Sequence, residues 1–321
     1  MKRRLLFLYF FSISVLADSA LVIESYHSEY AWDKSYLKGI TSTLNGRVDI
    51  DTFQMNTKRL PESEYELMAD RAYEHYLRVN PELVILGDDN AFRLMYPRLY
   101  NEPVSIVFLG INSNPRTLLN QYKGQASITG VLEQPLFVKT MAEIGGLLND
   151  GNKKVRIMFD SGVTSKIAIE FMKSHAQSIS KNLDIEIEVL AIATQSEWQD
   201  AINSAPEEGV SAIIVGLYHT IVDSNGANVA ADQIVNWTNH NSKVPLFGFW
   251  DFSIGPGKAA GGVVLFGELQ GKQAAELVIR ILDGESADSI PIQVGRQGKA
   301  IYSIEEMKRW KIAPPKNWHP M

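Results

Sequence analysis

The stretch "LVIESYHSEYAWDKSY" (Leu21–Tyr36) decides how the chain is read. An apolar run stops abruptly in a loop of rings, a histidine and carboxylates before the next segment begins. The run does not alternate polar with apolar side chains, which is the pattern of a strand covered on both faces in a parallel sheet. The unit recurs. Strands are expected at Ala20–Glu24, Val48–Phe53, Leu83–Leu86, Val104–Leu109, Val155–Phe159, Ile185–Leu190, Ala212–Val215, Pro245–Phe249 and Gly262–Phe266.

Helical periodicity fills the gaps. After Pro61, residues Tyr65, Met68, Ala72, Tyr76 and Val79 recur at spacings of three and four. A second helix is expected from Pro135 to Asp150-Gly151, and a third from Glu268 to Asp283 with Gly284 as its left-handed cap. Strand and helix in such regular succession predict an α/β fold with parallel sheets. Residues 20–132 and 133–265 form two halves with no flexible linker, and "SITGVLEQP" (127–135) is the expected first crossing between them.

The N-terminus, MKRRLLFLYFFSISVLADSA, has Lys2, Arg3 and Arg4 ahead of an apolar Leu5–Leu16 and a small-residue site ending at Ala17. That pattern is a secretory signal peptide over 1–17, too short to span a bilayer. The expected mature protein is soluble and periplasmic. The chain has no cysteine, so it is not a lipoprotein, and a chain of this length does not need disulfides to hold its core. Formal charge is −6, and more negative still without the leader cations. No basic cluster interrupts the acidic balance, which argues against nucleic acid and against anionic membrane surfaces.

Ligands of open parallel sheets bind beyond the carboxyl ends of the strands. The residues there are Tyr26, His27 and Trp32 after the first strand, Asp88, Asp89 and Asn90 in "GDDN", and Asn112 in "GINSN". The second half supplies Asp160, Ser161 and Thr164 in "FDSGVTS", then Tyr218 and His219, then Trp250 and Asp251. Asp, Asn and Ser after a strand are also ordinary helix caps. Rings and carboxylates from both halves together describe a cleft that stacks on a flat ligand and hydrogen-bonds its edge. Trp32 either faces that ligand or staples the first helix onto its lobe.

Enzyme motifs are lacking. There is no G-x-S-x-G, H-E-x-x-H or P-loop, and "GPGKAAGG" (255–262) leads into a strand rather than a helix. The six histidines show no metal-ligand spacing, and no cofactor, metal or catalytic residue is expected. Asp160, Ser161 and His219 could converge as a hydrolytic site, but their spacing does not support one.

The segments "VIESYHSEYAWDKSYLKGI", "PELVILGDDNAF", "PVSIVFLGIN", "ITGVLE" and "GELQGKQAAELVIRILDGESADSIPI" resemble, in order and spacing, the ABC-transporter substrate-binding family of type I periplasmic binding proteins. That family includes tryptophan-type solute receptors. The chain is also similar to extracytoplasmic sensor domains fused to histidine kinases and diguanylate cyclases. The resemblance implies two Rossmann-like lobes joined by three hinge crossings, an N-lobe of 18–131 plus 266–288 and a C-lobe of 132–265 plus 289–321. It implies a small-molecule ligand, capture by hinge closure without catalysis, and an ABC permease or a membrane sensor as partner. Carried over by position, its cleft loops match Tyr26, His27, Asp88, Asp89, Asn90, Asn112, Asp160, Ser161, Tyr218, Trp250 and Asp251. Carboxylates at Asp88 and Asp89 would repel an anionic ligand, so hydroxyls, ring N–H groups or an ammonium are the expected ligand chemistry.

Overall fold

The computed structural model describes residues 19–134, 136–148, 153–296 and 298–321. The expected leader lies outside them, as do Pro135 and Asp150-Gly151 at the ends of the second expected helix. The first half runs β1 (Ser19–Glu24), α1 (Ala31–Leu44), β2 (Asp49–Gln54), α2 (Tyr65–Val79), β3 (Leu83–Gly87), α3 (Asp88–Leu99), β4 (Ser105–Ile111), α4 (Arg116–Gln121) and β5 (Ser127–Leu132). The second runs α5 (Phe137–Leu147), β6 (Lys154–Asp160), α6 (Val163–Leu183), β7 (Glu186–Ile192), α7 (Gln195–Ser204), β8 (Val210–Val215), α8 (Ala231–Asn241), β9 (Leu246–Gly248) and β10 (Gly261–Val264). Then come α9 (Gly267–Leu282), β11 (Gln293–Val294), β12 (Lys299–Tyr302), α10 (Ile304–Arg309) and β13 (His319–Pro320).

Two sheets result, in the orders β11-β5-β4-β3-β1-β2 and β13-β12-β10-β9-β8-β6-β7. All nine expected strands are present, with ends moved by a residue or two, and they pair in parallel. Among the described strands only β12, against β10, runs antiparallel. The chain passes between lobes three times, after Leu132, after Val264 and after Val294. The last crossing falls beyond the boundary at 289 expected from the sequence, because β11 still pairs with β5.

The central strands β1, β3, β4 and β6 are buried almost end to end, as their unbroken apolar runs require. Edge strand β2 (DIDTFQ) is half-exposed and correspondingly polar. Helices α1, α2 and α6 each stop on an Asn or Asp in the left-handed conformation, Asn45, Asn80 and Asp184.

One helix contact fixes the geometry that matters below. Helices α1 and α9 cross at backbone distance: a methyl on Gly39 would overlap the Glu268 carbonyl oxygen, and one on Gly271 would overlap that of Tyr36. Glycines at the crossing let the late helix α9 hold α1, and with it Trp32 and Tyr36, against the sheet.

Candidate functional site

The carboxyl ends of β1, β3, β4 and β5 face those of β6, β8 and β9 across the cleft, and the lobes are shut on each other. Tyr26 donates its phenolic proton to Asp88 Oδ1 at 2.6 Å and lies 2.9 Å from Thr164 Oγ1 of the opposite lobe. The Tyr30 ring packs edge-on against His219, with centroids 4.6 Å apart. Trp250 Nε1 donates to Glu133 Oε1 at 2.7 Å.

These contacts border an inner chamber of ≈ 10 Å³, room for about one water-sized group. Rings of Tyr26, Tyr30, Trp32 and Trp250 surround two carboxylates, Asp88 and Glu133. Asp88 sits at φ +74°, a left-handed conformation that non-glycine residues hold at a cost of about 1–2 kcal/mol. Such strain concentrates where a side chain must be aimed. Gly110, at φ +70°, leaves the space that they converge on. The point a β-carbon there would fill lies 3.5 Å from Trp32 Nε1, 3.7 Å from Asp88 Oδ2 and 3.7 Å from Glu133 Oε2. Trp32 Nε1 is buried there with no hydrogen-bond partner.

Electrostatics in this chamber is that of crowded acids out of water. Burial, then the neighbouring Asp89, pushes the Asp88 carboxyl up to about 7. Burial, then Asp88, holds Glu133 well above the usual carboxylate range. Deeper in the lobe, burial raises Asp33 as well, with Glu24 and Asp88 adding to it. Among the described residues the cation beside them is Lys58, 6 % exposed, whose Nζ stands 4.5 Å from the Tyr26 ring centroid and 5.5 Å from that of Tyr30. An added positive charge in the chamber would relieve the repulsion, and aromatic faces attract the same charge.

On the other side of the Tyr30 ring the cleft widens into an outer chamber of ≈ 430 Å³. His27, Tyr30, Arg59 and Glu29 line it from one lobe, and Tyr218, His219, Asn228, Phe252 and Lys258 from the other. The ring planes of Tyr218 and His219 stack at 4.4 Å.

The sequence-expected residues divide by place. Tyr26, Trp32, Asp88 and Trp250 line the inner chamber, and His27, Tyr218 and His219 the outer one. Asp89 turns away and accepts hydrogen bonds from the backbone N–H of Asn112 and Ser113, so it shapes the loop after β4. Asn90 donates to Thr57 Oγ1, and Asn112 donates to the Gly110 carbonyl and toward Glu133. Asp160 is spent on its own lobe: it accepts from Gly162 N, Ser165 Oγ, His219 N and Thr220 N. His219 meets it through backbone rather than imidazole. Ser161 and Asp251 line neither chamber; Asp251 accepts from Phe252 N.

Four residues that complete the site were not singled out in the sequence. Tyr30 lines both chambers, Glu133 carries the second inner carboxylate, Lys58 is the inner cation, and Phe252 packs between Tyr30 and Trp250. Glu133 and Lys58 had a usable signal, since each lies just past the end of a strand.

A family model described as "ABC transporter substrate binding protein" matches residues 83–317. A tyrosine-binding protein of Clostridioides difficile is 25% identical over 188 residues, 58% of this chain and 50% of that protein. The chain thus spans about half the length of the curated relative that it matches. Among solved structures, a Streptococcus pneumoniae ABC domain in complex with L-Trp superposes with TM-score 0.69 at 16% identity, covering 93% of this chain and 96% of that one. A ligand-free, open substrate-binding protein with adhesive properties from Clostridium difficile gives TM-score 0.61 at 16% identity, covering 95% and 99%. At such identities the likeness speaks for the fold, which is that of the type I periplasmic binding proteins.

Proposed function

This chain belongs to the ABC transporter substrate binding protein family, and from that premise we propose that it captures a small ligand bearing a protonated amine and hands it to an ABC importer. The observation that carries this reading is the inner chamber, where four aromatic rings surround Asp88 and Glu133. An ammonium there gains the carboxylates as charge partners and the rings as cation–π partners. Trp32 Nε1 remains as a donor for an oxygen on the same ligand. Two of the similar proteins are described with amino acids, tryptophan and tyrosine, which carry such an ammonium. The shut cleft supports hinge capture, because Tyr26, Tyr30, Trp32, Asp88, Glu133 and Trp250 are all buried and are uncovered only when the lobes part.

Thermal unfolding across a panel of amines, amino acids, polyamines, sugars and organic acids tests the ligand class. A ligand at about 100 times its Kd stabilises the fold by roughly 2.7 kcal/mol. The melting point is expected to rise only with amine-bearing compounds, and a rise with sugars or acids alone would reject the ammonium. Uptake of the ligand found in this way should fall in cells lacking the protein. Undiminished uptake would remove the importer step.

A further inference from the structure

The two chambers on either side of Tyr30 differ in charge: the inner one has only acids among its charged lining residues, and the outer one has both signs. The inner one is walled by Asp88 and Glu133. The cations that line the outer one are Arg59 and Lys258. Among the described residues Lys58 and Lys258 form no ion pair; Lys258 Nζ reaches only the Phe252 carbonyl oxygen, at 3.0 Å. The acids of the outer chamber are placed at its rim. Glu29 is solvent-exposed and pairs with Arg59 at 3.3 Å, and Asp232 is exposed at the start of α8.

Two orphaned imidazole nitrogens complete the wall. His219 is 8 % exposed, and its Nδ1 has no hydrogen-bond partner; His27 Nδ1 has none either. Burial first, and then the surrounding cations, pushes His27 down to about 4 and His219 lower than its usual range. Both rings are therefore neutral at pH 7, and each can turn an N–H toward a ligand. Buried polar atoms left unpaired are costly, which is a reason to expect a partner in this chamber.

We propose that the outer chamber is an anion subsite and that the ligand is bipolar. Its ammonium occupies the inner chamber, a flat spacer runs past the Tyr30 ring, which lines both chambers, and a carboxylate or similar oxyanion reaches Lys258, His219 and Arg59. This rests on the ammonium reading above for one of the two ends. It places the anion remote from the amine, and so distinguishes the ligand from a molecule whose two charges sit on one carbon.

Calorimetric titration with phenethylamine and with 4-(2-aminoethyl)benzoate tests the assignment, because the two differ only by a carboxylate at the end away from the amine. The benzoate is expected to bind about tenfold tighter or better, and Lys258→Gln should bring the ratio of the two Kd values close to unity. Arg59→Gln, at an exposed side chain paired with Glu29, should narrow the same ratio. Equal affinities, or a ratio that survives both substitutions, overturn the subsite and leave the ammonium reading standing. L-Phenylalanine binding about tenfold tighter than the benzoate overturns it as well. If neither amine binds, the ammonium reading falls, and 4-ethylbenzoate decides the subsite alone. A Kd for that anion raised about tenfold by Lys258→Gln keeps it, and no binding removes it.

Discussion

Trp250 Nε1 and Glu133 Oε1 are 2.7 Å apart, a hydrogen bond that ties the loop after β9 to the crossing after β5. The indole also stacks on Phe252 and stands edge-on to Phe159. Trp250→Phe retains a ring but leaves a buried carboxylate oxygen without its donor, at a cost of about 1–3 kcal/mol. The cost falls on the closed form, so the radius of gyration should grow and ligand affinity should drop by about tenfold or more. Scattering and affinity both unchanged would mean that this bond does not hold the lobes shut.

Gly110→Ala puts a methyl at the point where Trp32 Nε1, Asp88 Oδ2 and Glu133 Oε2 converge. It also forces a left-handed conformation on a residue with a side chain, worth about 1–2 kcal/mol of stability. The expected outcome is a small fall in melting temperature with loss of amine binding. Wild-type affinity in this variant would place the ammonium elsewhere.

Affinity for an amine should depend on pH through Asp88. Burial and Asp89 raise this carboxyl to about 7, and an ammonium binds its ionised form. Binding therefore strengthens as pH rises through 7 and weakens by up to about tenfold per unit below it. Titration calorimetry between pH 6 and 8 checks the sign. Asp88→Asn should weaken binding and flatten the profile; a profile that keeps its slope in this variant assigns the proton to another group.

Glu24 offers a stability test away from ligand. It is fully buried at the end of β1, its Oε2 has no partner, and burial raises it to about 7 against a weak bond from Gln54. A carboxyl raised on folding stabilises below its unfolded value near 4.5, and that contribution is lost as pH climbs through 7. Glu24→Gln should therefore melt higher than the parent at pH 8, by about 1–3 kcal/mol, and show little difference at pH 4. Equal melting at pH 8 would show that Glu24 carries no burial penalty.

The architecture was legible because the central strands are apolar on both faces and the helices amphipathic, so period alone separates them. What escaped has physical causes. Strands β11 and β13 have two residues each, too few for any period to register. Edge strand β2 carries Asp49, Asp51 and Thr52 on open faces, which dulled the strand end that delivers Lys58. Glu133 lies in a segment whose sequence marks a crossing between lobes, and there a single carboxylate looks like ordinary surface. Tyr30 was not legible: it resembles Tyr26 in sequence, and only the fold puts it between two chambers.

The backbone contact between α1 and α9 bears on how the molecule comes into being. Helix α1 emerges among the first residues and α9 only at 267–282, while β11 and β12 come later still. The first lobe lacks a helical wall, and the second an inner strand, until nearly all of the chain is present. A chain halted before Gly267 would expose the apolar flank of α1 and hold neither lobe complete. Neither lobe can close its own core from a contiguous stretch of chain, which couples the completion of one to the completion of the other.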